Sequence, residues 1–150
     1  MIETEREPVF EASYDITGVE EFGSSFQALL EGKLKIPREG FRANVILNGV
    51  IRGPGIQGTA KGVDYLYTRA DGRNQLDIRV TITTKEGKNL WLAADGVSTQ
   101  QPDGTFKLAE NATLFSTHPE YAHFNSMQLW GEGVARGGKI DVKFYSATRT

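Results

Sequence analysis

The chain has 150 residues and a mass of 16.5 kDa, of which 39% are hydrophobic and 24% charged. That balance is globular, too apolar for a disordered tail and too interrupted for a membrane span. Cysteine is absent and the net charge is -2, which excludes disulfides, thiolate chemistry and cysteine-based zinc sites and leaves no basic field for nucleic acid or an anionic membrane.

In chain order, Met1-Ile2-Glu3-Thr4-Glu5-Arg6-Glu7 is acidic and polar, unlike a secretory signal. It is expected to be the flexible N-terminus of a cytoplasmic protein. Phe10, Ala12, Tyr14 and Ile16 then alternate with Glu11, Ser13 and Asp15, the pattern of a strand with one buried face. Phe26, Leu29, Leu30 and Lys33 share a helical face, which predicts at most one short helix near residues 22–33. Gly23 and Gly32 weaken it, and a strand through residues 28–36 competes. Phe41–Arg52 is apolar with Asn48-Gly49 as a turn or bulge inside it. Gly53-Pro54-Gly55-Ile56-Gln57-Gly58 has a proline in its middle and no βαβ unit after it, so it reads as a strand bend, not a dinucleotide site.

Val63, Tyr65 and Tyr67 alternate with Asp64, Leu66 and Thr68, and Leu76, Ile78, Val80 and Ile82 alternate with Asp77, Arg79, Thr81 and Thr83. Ile140, Val142 and Phe144 repeat the pattern near the end of the chain. Asp71-Gly72, Glu86-Gly87, Asp95-Gly96 and Asp103-Gly104 are turn signals, because glycine accepts positive φ. About nine antiparallel strands result, with no domain boundary in residues 1–150. So many strands would expose long edges unless they close, which predicts a single all-β barrel.

Several of these pieces, taken together, resemble one family. They are Gly53-Pro54 through Gly58, Gly62-Val63-Asp64-Tyr65, Arg69-Ala70-Asp71-Gly72, Asp77-Ile78-Arg79, Asp95-Gly96, Phe115-Ser116-Thr117 and Tyr121 through Asn125. Their order and spacing are similar to a bacterial and fungal family known only as domain of unknown function number 3237, over about residues 41–147. The resemblance implies a compact calycin-like β-barrel and names no reaction. The chain departs from the family pattern at Tyr65, where tryptophan is usual, and at Leu108 and Glu110, which stand near a family tyrosine and arginine.

The candidate chemistry depends on which strand faces point inward. Asp77 and Arg79 leave one face of one strand. Outside, they are a solvated pair; inside, Arg79 would hold an enolate, phenolate or carboxylate while Asp77 orients it. Asp64 beside Tyr65 offers a general base next to a phenol donor, and Glu110 offers a second acid or base. His123 and Asn125 are two apart, are expected to share a strand face and would orient the reacting group. Trp91, Phe124, Trp130 and Tyr145 are large enough to line an apolar pocket, or are simply core. The two histidines have no carboxylates around them in a ligand-set pattern, so no metal site is expected.

The function expected from these residues is a cofactor-free enzyme acting on a hydrophobic or aromatic carbonyl compound, of isomerase, cyclase or lyase type. Such reactions need only an apolar pocket, one base and one oxyanion donor. A small-molecule carrier barrel is the alternative, and a structural subunit the third possibility. The expected partner is a small hydrophobic or aromatic molecule, without nucleic acid or membrane, with a homo-oligomer also possible.

Overall fold

The computed structural model describes residues 7–146, so most of the expected flexible N-terminus, residues 1–6, lies outside the described residues. The elements are β1 (Phe10–Glu21), a short helix α1 (Phe26–Leu30), β2 (Phe41–Arg52), β3 (Gln57–Thr68), β4 (Asn74–Thr84), β5 (Asn89–Gln100), β6 (Phe106–Phe115), β7 (Leu129–Arg136) and β8 (Lys139–Ser146). Each strand pairs antiparallel with the next, and β1 pairs with β8, from Phe10↔Phe144 to Asp15↔Lys139, to close a barrel of eight strands.

The expected all-β barrel is present with one strand fewer than nine. Residues 22–40 contribute only the single turn of α1, capped by the Ser25 hydroxyl accepting from the Ala28 N–H at 3.0 Å. A five-residue helix is too short to stand on propensity alone; this one leans its Phe26 and Leu29 on the core. Turn chemistry also sorts into two kinds. Gly72, Gly87 and Gly104 take positive φ between paired strands, as Asp-Gly and Glu-Gly signals predict. Asp95-Gly96 and Asn48-Gly49, with the same signal, run straight through the middle of β5 and β2. There the missing side chain serves close packing instead. A Cβ on Gly49 would stand 1.9 Å from the Ser13 carbonyl oxygen of β1.

The alternation read from the sequence decides what faces inward. Phe10, Ala12 and Tyr14 of β1, Val45 and Leu47 of β2, Ile78, Val80 and Ile82 of β4 and Val142 and Phe144 of β8 are all buried. Phe10 and Phe144 stack with centroids 4.7 Å apart across the closing seam. Each fully buried Phe, Leu or Ile is worth about 1.5–3 kcal/mol relative to exposure. One end of the barrel is filled by this core and by Phe124 and Tyr121 from the β6–β7 connection. At the other end, where α1 lies, the packing is incomplete.

Candidate functional site

The unfilled end is a cavity of about 800 Å³. Aliphatic and aromatic side chains of the 22–40 segment, among them Phe26, Leu29, Leu34 and Ile36, form one wall. Val45, Leu66, Leu76, Phe106 and Ile140 of the strands form the other. The polar residues include Asp64, Thr68, Asn74 and Ser98 from the inner strand faces, with Gln27, Thr99, Gln100, Arg136 and Lys139 also along the lining. The rim cations are already partnered, Arg136 with Asp103 at 3.8 Å and Lys139 with Asp15 at 2.7 Å. An apolar enclosure of this size with a handful of polar groups is the usual form of a small-molecule site.

Asp64 is where strand geometry and chemistry meet. The β3–β4 ladder runs down to Asp64↔Ile78 and resumes only at Tyr67↔Gln75. In the gap, Asp64 Oδ1 accepts the backbone N–H of Asp77 at 3.0 Å, so the carboxylate satisfies a donor the ladder leaves open. Asp64 is 8% exposed. Burial pushes its carboxyl up to about 6, against the lowering effect of the Asp77 N–H, and the Asp77 charge adds to the rise. Nearby, the Thr68 hydroxyl donates to Asn74 Oδ1 at 2.8 Å and the Asn74 amide donates to the Ser98 carbonyl at 3.3 Å.

Glu110 also points into the lumen, from β6, and is 2% exposed. Burial pushes its carboxyl up to about 8, with the charges of Asp64 and Asp95 adding to the rise. Tyr14 of β1 is buried beside it, and its phenol is raised by burial first and by the Glu110 charge second. Neither Glu110 nor Tyr14 lines the cavity; they lie in the packed interior within electrostatic reach of it.

Among the residues picked out from the sequence, the structure brings Asp64 and Glu110 together inside the barrel and leaves the others elsewhere. Tyr65 is 42% exposed on the outer face, because a one-residue step along β3 reverses the side-chain direction from Asp64. Asp77 and Arg79 are outside for the same reason, since Leu76, Ile78 and Val80 take the inner face. They pair with each other at 2.6 Å, half exposed, with the guanidinium 6.0 Å from the ring centre of Trp91. This is the solvated alternative, worth about 0.2–1 kcal/mol.

Trp91 and Trp130 are also outward and exposed. Trp130 and Tyr145, paired across β7 and β8, line a groove of about 1090 Å³ on the outer surface rather than the cavity. Phe124 is core at the opposite end. His123 and Asn125 do not share a strand face, for residues 122–126 form a 3-10 turn. His123 is exposed against Phe124, and Asn125 clamps a loop: its Oδ1 accepts from Ser116 N–H at 2.9 Å and its Nδ2 donates to Ser116 C=O at 2.8 Å.

Tyr14, Thr68 and Asn74 were not picked out from the sequence. Tyr14 had a usable signal, as the hydroxyl-bearing residue on the buried face Phe10-Ala12-Tyr14-Ile16. Thr68 and Asn74 look like strand-end residues in the sequence. Among the described residues no group of three or more histidines and carboxylates stands together as a metal site, and no helix is long and apolar enough to cross a membrane.

Solved structures share the architecture. A β-barrel-like protein from Acinetobacter baumannii aligns with TM-score 0.76 at 18% identity, covering 93% of each chain. A protein of unknown function from Clostridium acetobutylicum aligns with TM-score 0.77 at 18% identity, covering 95% of this chain and 98% of that one. A protein from Penicillium herquei described as an enzyme aligns with TM-score 0.57 at 16% identity, covering 97% of this chain and all of that one. No curated protein matches the sequence. The family match extends over residues 7–147, nearly the whole chain, and on that ground the protein belongs to the family of proteins of unknown function DUF3237.

Proposed function

We propose that the protein is a cofactor-independent enzyme that moves a proton on a hydrophobic or aromatic carbonyl compound, as an isomerase, cyclase or lyase, with Asp64 as the base. The observation that carries this reading is a carboxylate on the wall of an apolar cavity, raised to about 6. Near neutrality it is ionised yet far more basic than a solvated aspartate, the condition for general base catalysis. In the proposed step Asp64 takes a proton from the carbon beside the carbonyl, and the electron pair of the broken C–H bond delocalises onto the carbonyl oxygen as an enolate. Return of that proton to a different atom gives an isomer, with no other reactant needed. The donors expected from the sequence, Tyr65 and Arg79, face solvent; on the cavity wall the Thr68 hydroxyl is committed to Asn74, which leaves the second amide hydrogen of Asn74 and the Ser98 hydroxyl as donors for the oxyanion. The description of the Penicillium herquei neighbour as an enzyme is in keeping with this reading.

The test is hydrogen exchange. Enolisable aromatic ketones and β-diketones are incubated with the protein in D2O near neutral pH, and loss of the α-proton signal is followed by NMR. The protein should accelerate exchange of at least one compound, and Asp64→Asn should reduce that rate by about 10²–10⁴-fold. Asparagine keeps an oxygen that can accept the Asp77 N–H, so the barrel should persist, as circular dichroism would show. The aliphatic cavity walls equally suit a carrier. Compounds that bind without accelerated exchange would leave the carrier reading standing, and undiminished exchange in Asp64→Asn would overturn Asp64 as the base.

A further inference from the structure

The barrel interior holds one ionisable group for which a single base at Asp64 has no use. Glu110 is sealed, and its Oε2 is, among the described residues, the buried side-chain polar atom without a hydrogen-bond partner. Its cross-strand neighbours on the inner face are Gly96 of β5 and Gly131 of β7, which offer no side-chain donor. The titratable groups that act on it are Tyr14 from β1, Asp64 from β3 and the exposed Asp95 from β5. The inner faces of β2, β4, β7 and β8 bring no ionisable side chain among the described residues. No cation therefore offsets a charge on Glu110.

A carboxylate in that position, without solvent and with an orphan oxygen, is much less favourable than the carboxylic acid. Asp64 is placed differently. It has the Asp77 N–H on one oxygen and opens onto the cavity, while the charge of neighbouring Asp77 is answered by Arg79 at 2.6 Å. Two acids inside one barrel whose charges act on each other resist ionising together, and the better-solvated one ionises first.

We propose that Asp64 and Glu110 share a single proton, held on Glu110, and that Glu110 is a positioning residue whose protonated form lets Asp64 work as a base. The proposal rests on the reading of Asp64 as that base. While Glu110 keeps its proton, Asp64 carries the one negative charge of the lumen among the described residues and an enolate can form beside it. When Glu110 ionises, a second negative charge faces the site, and formation of the enolate is disfavoured. Exchange should therefore rise with pH as Asp64 ionises near 6 and fall as Glu110 loses its proton near 8.

The deciding titration needs no substrate, and the exchange profile of the enolisable compounds above is its second readout. Carboxyl carbon shifts of the ¹³C-labelled full chain are followed from about pH 4 to about pH 10 in the wild type, Asp64→Asn and Glu110→Gln. Glu110 should be the last carboxyl to titrate in the wild type, and its midpoint should fall clearly in Asp64→Asn. In Glu110→Gln the Asp64 step should stay close to its wild-type position, and the alkaline limb of the exchange profile should vanish while the acid limb remains. A wild-type Glu110 that titrates with the solvated glutamates, or a midpoint unmoved by Asp64→Asn, overturns the proposal even if the variants fold poorly, since the first is read on the wild type alone. Shared-proton titration in a protein that accelerates no exchange would overturn the base reading and with it the positioning role of Glu110, while the proton pairing itself would stand.

Discussion

At the scale of single residues, the buried acids have opposite effects on site chemistry and on stability. Asp64 and Glu110 bind a proton more tightly in the folded chain than a carboxyl does in the unfolded one. From the ordinary carboxylate range up to about 8, the folded state therefore holds more protons, and stability falls as pH rises through that window. Below it, both groups are neutral in both states and the penalty is absent. Replacing Glu110 by glutamine removes the larger share of this cost. Urea unfolding should find Glu110→Gln and the wild type close in stability near about pH 5, with the variant ahead by on the order of 3–5 kcal/mol near about pH 9. An equal difference at both pH values would mean that Glu110 does not ionise with difficulty.

These two residues also mark how far the site is legible in the sequence. Alternation says that Asp64 shares a face with Leu66, and Glu110 with Leu108, Ala112 and Leu114, and it sets Asp77 and Arg79 opposite Leu76, Ile78 and Val80. On β3, however, both Val63-Tyr65-Tyr67 and Asp64-Leu66 carry apolar residues, and only the closed barrel shows that Tyr65 faces out and Asp64 in. What periodicity does not carry is depth along the barrel: it cannot tell that Asp64 reaches an open cavity while Glu110 sits among packed side chains. Asn125 resembles a site residue in the sequence because its neighbours are His123 and Phe124. Its two bonds to the Ser116 backbone, which make it a structural clamp, join chain segments that sequence spacing does not relate.

At the scale of elements, the strands were more legible than their connections. A dipeptide such as Asn-Gly is a turn when two strands need to reverse and an ordinary strand position when a neighbour needs room, and only the tertiary partner distinguishes them. Gly49 shows the second use. It faces Tyr14 across β1 and β2, and the Ser13 carbonyl lies where its side chain would be. Backbone cannot yield as a flexible side chain would, so Gly49→Ala must push β1 away from β2 next to Tyr14. The expected cost is about 3 kcal/mol or more, seen as a lower urea midpoint with the far-ultraviolet spectrum retained. An alanine variant as stable as the wild type would show that the strands part there without penalty. The apolar residues between 22 and 36 fit either period, so the sequence supports a helix near 22–33 and a strand through 28–36 alike. The structure uses them as a cavity wall, which demands neither long helix nor strand.

At the scale of the whole molecule, every strand pairs with its sequence neighbour except at the seam, where β1 meets β8. The barrel is therefore closed by one long-range pairing, and the entropy of bringing the two ends of the chain together is concentrated there. On the outer face the seam is held by exposed polar contacts: Ser13 Oγ donates to Asp141 Oδ1 at 2.7 Å, and Lys143 lies 3.9 Å from Glu11. Contacts of that kind are individually worth little, so the closure rests on the backbone ladder and on the buried inner face, where Phe10 stacks on Phe144. Ser13 and Asp141 are directly opposed in register, and their side chains already touch. The chain has no cysteine to compete, so Ser13→Cys with Asp141→Cys should form one disulfide, spanning a separation of 128 residues. Closing so long a loop in the unfolded chain should stabilise the oxidised double variant by about 4 kcal/mol over its reduced form; the Arg52 to Ser13 bond at 3.1 Å is lost in both and cancels. Urea unfolding with and without reductant measures the difference directly. Equal midpoints in the two states would mean that the ends of the chain already stay together in the unfolded ensemble, and that the closing pair is not where this barrel meets its entropic cost.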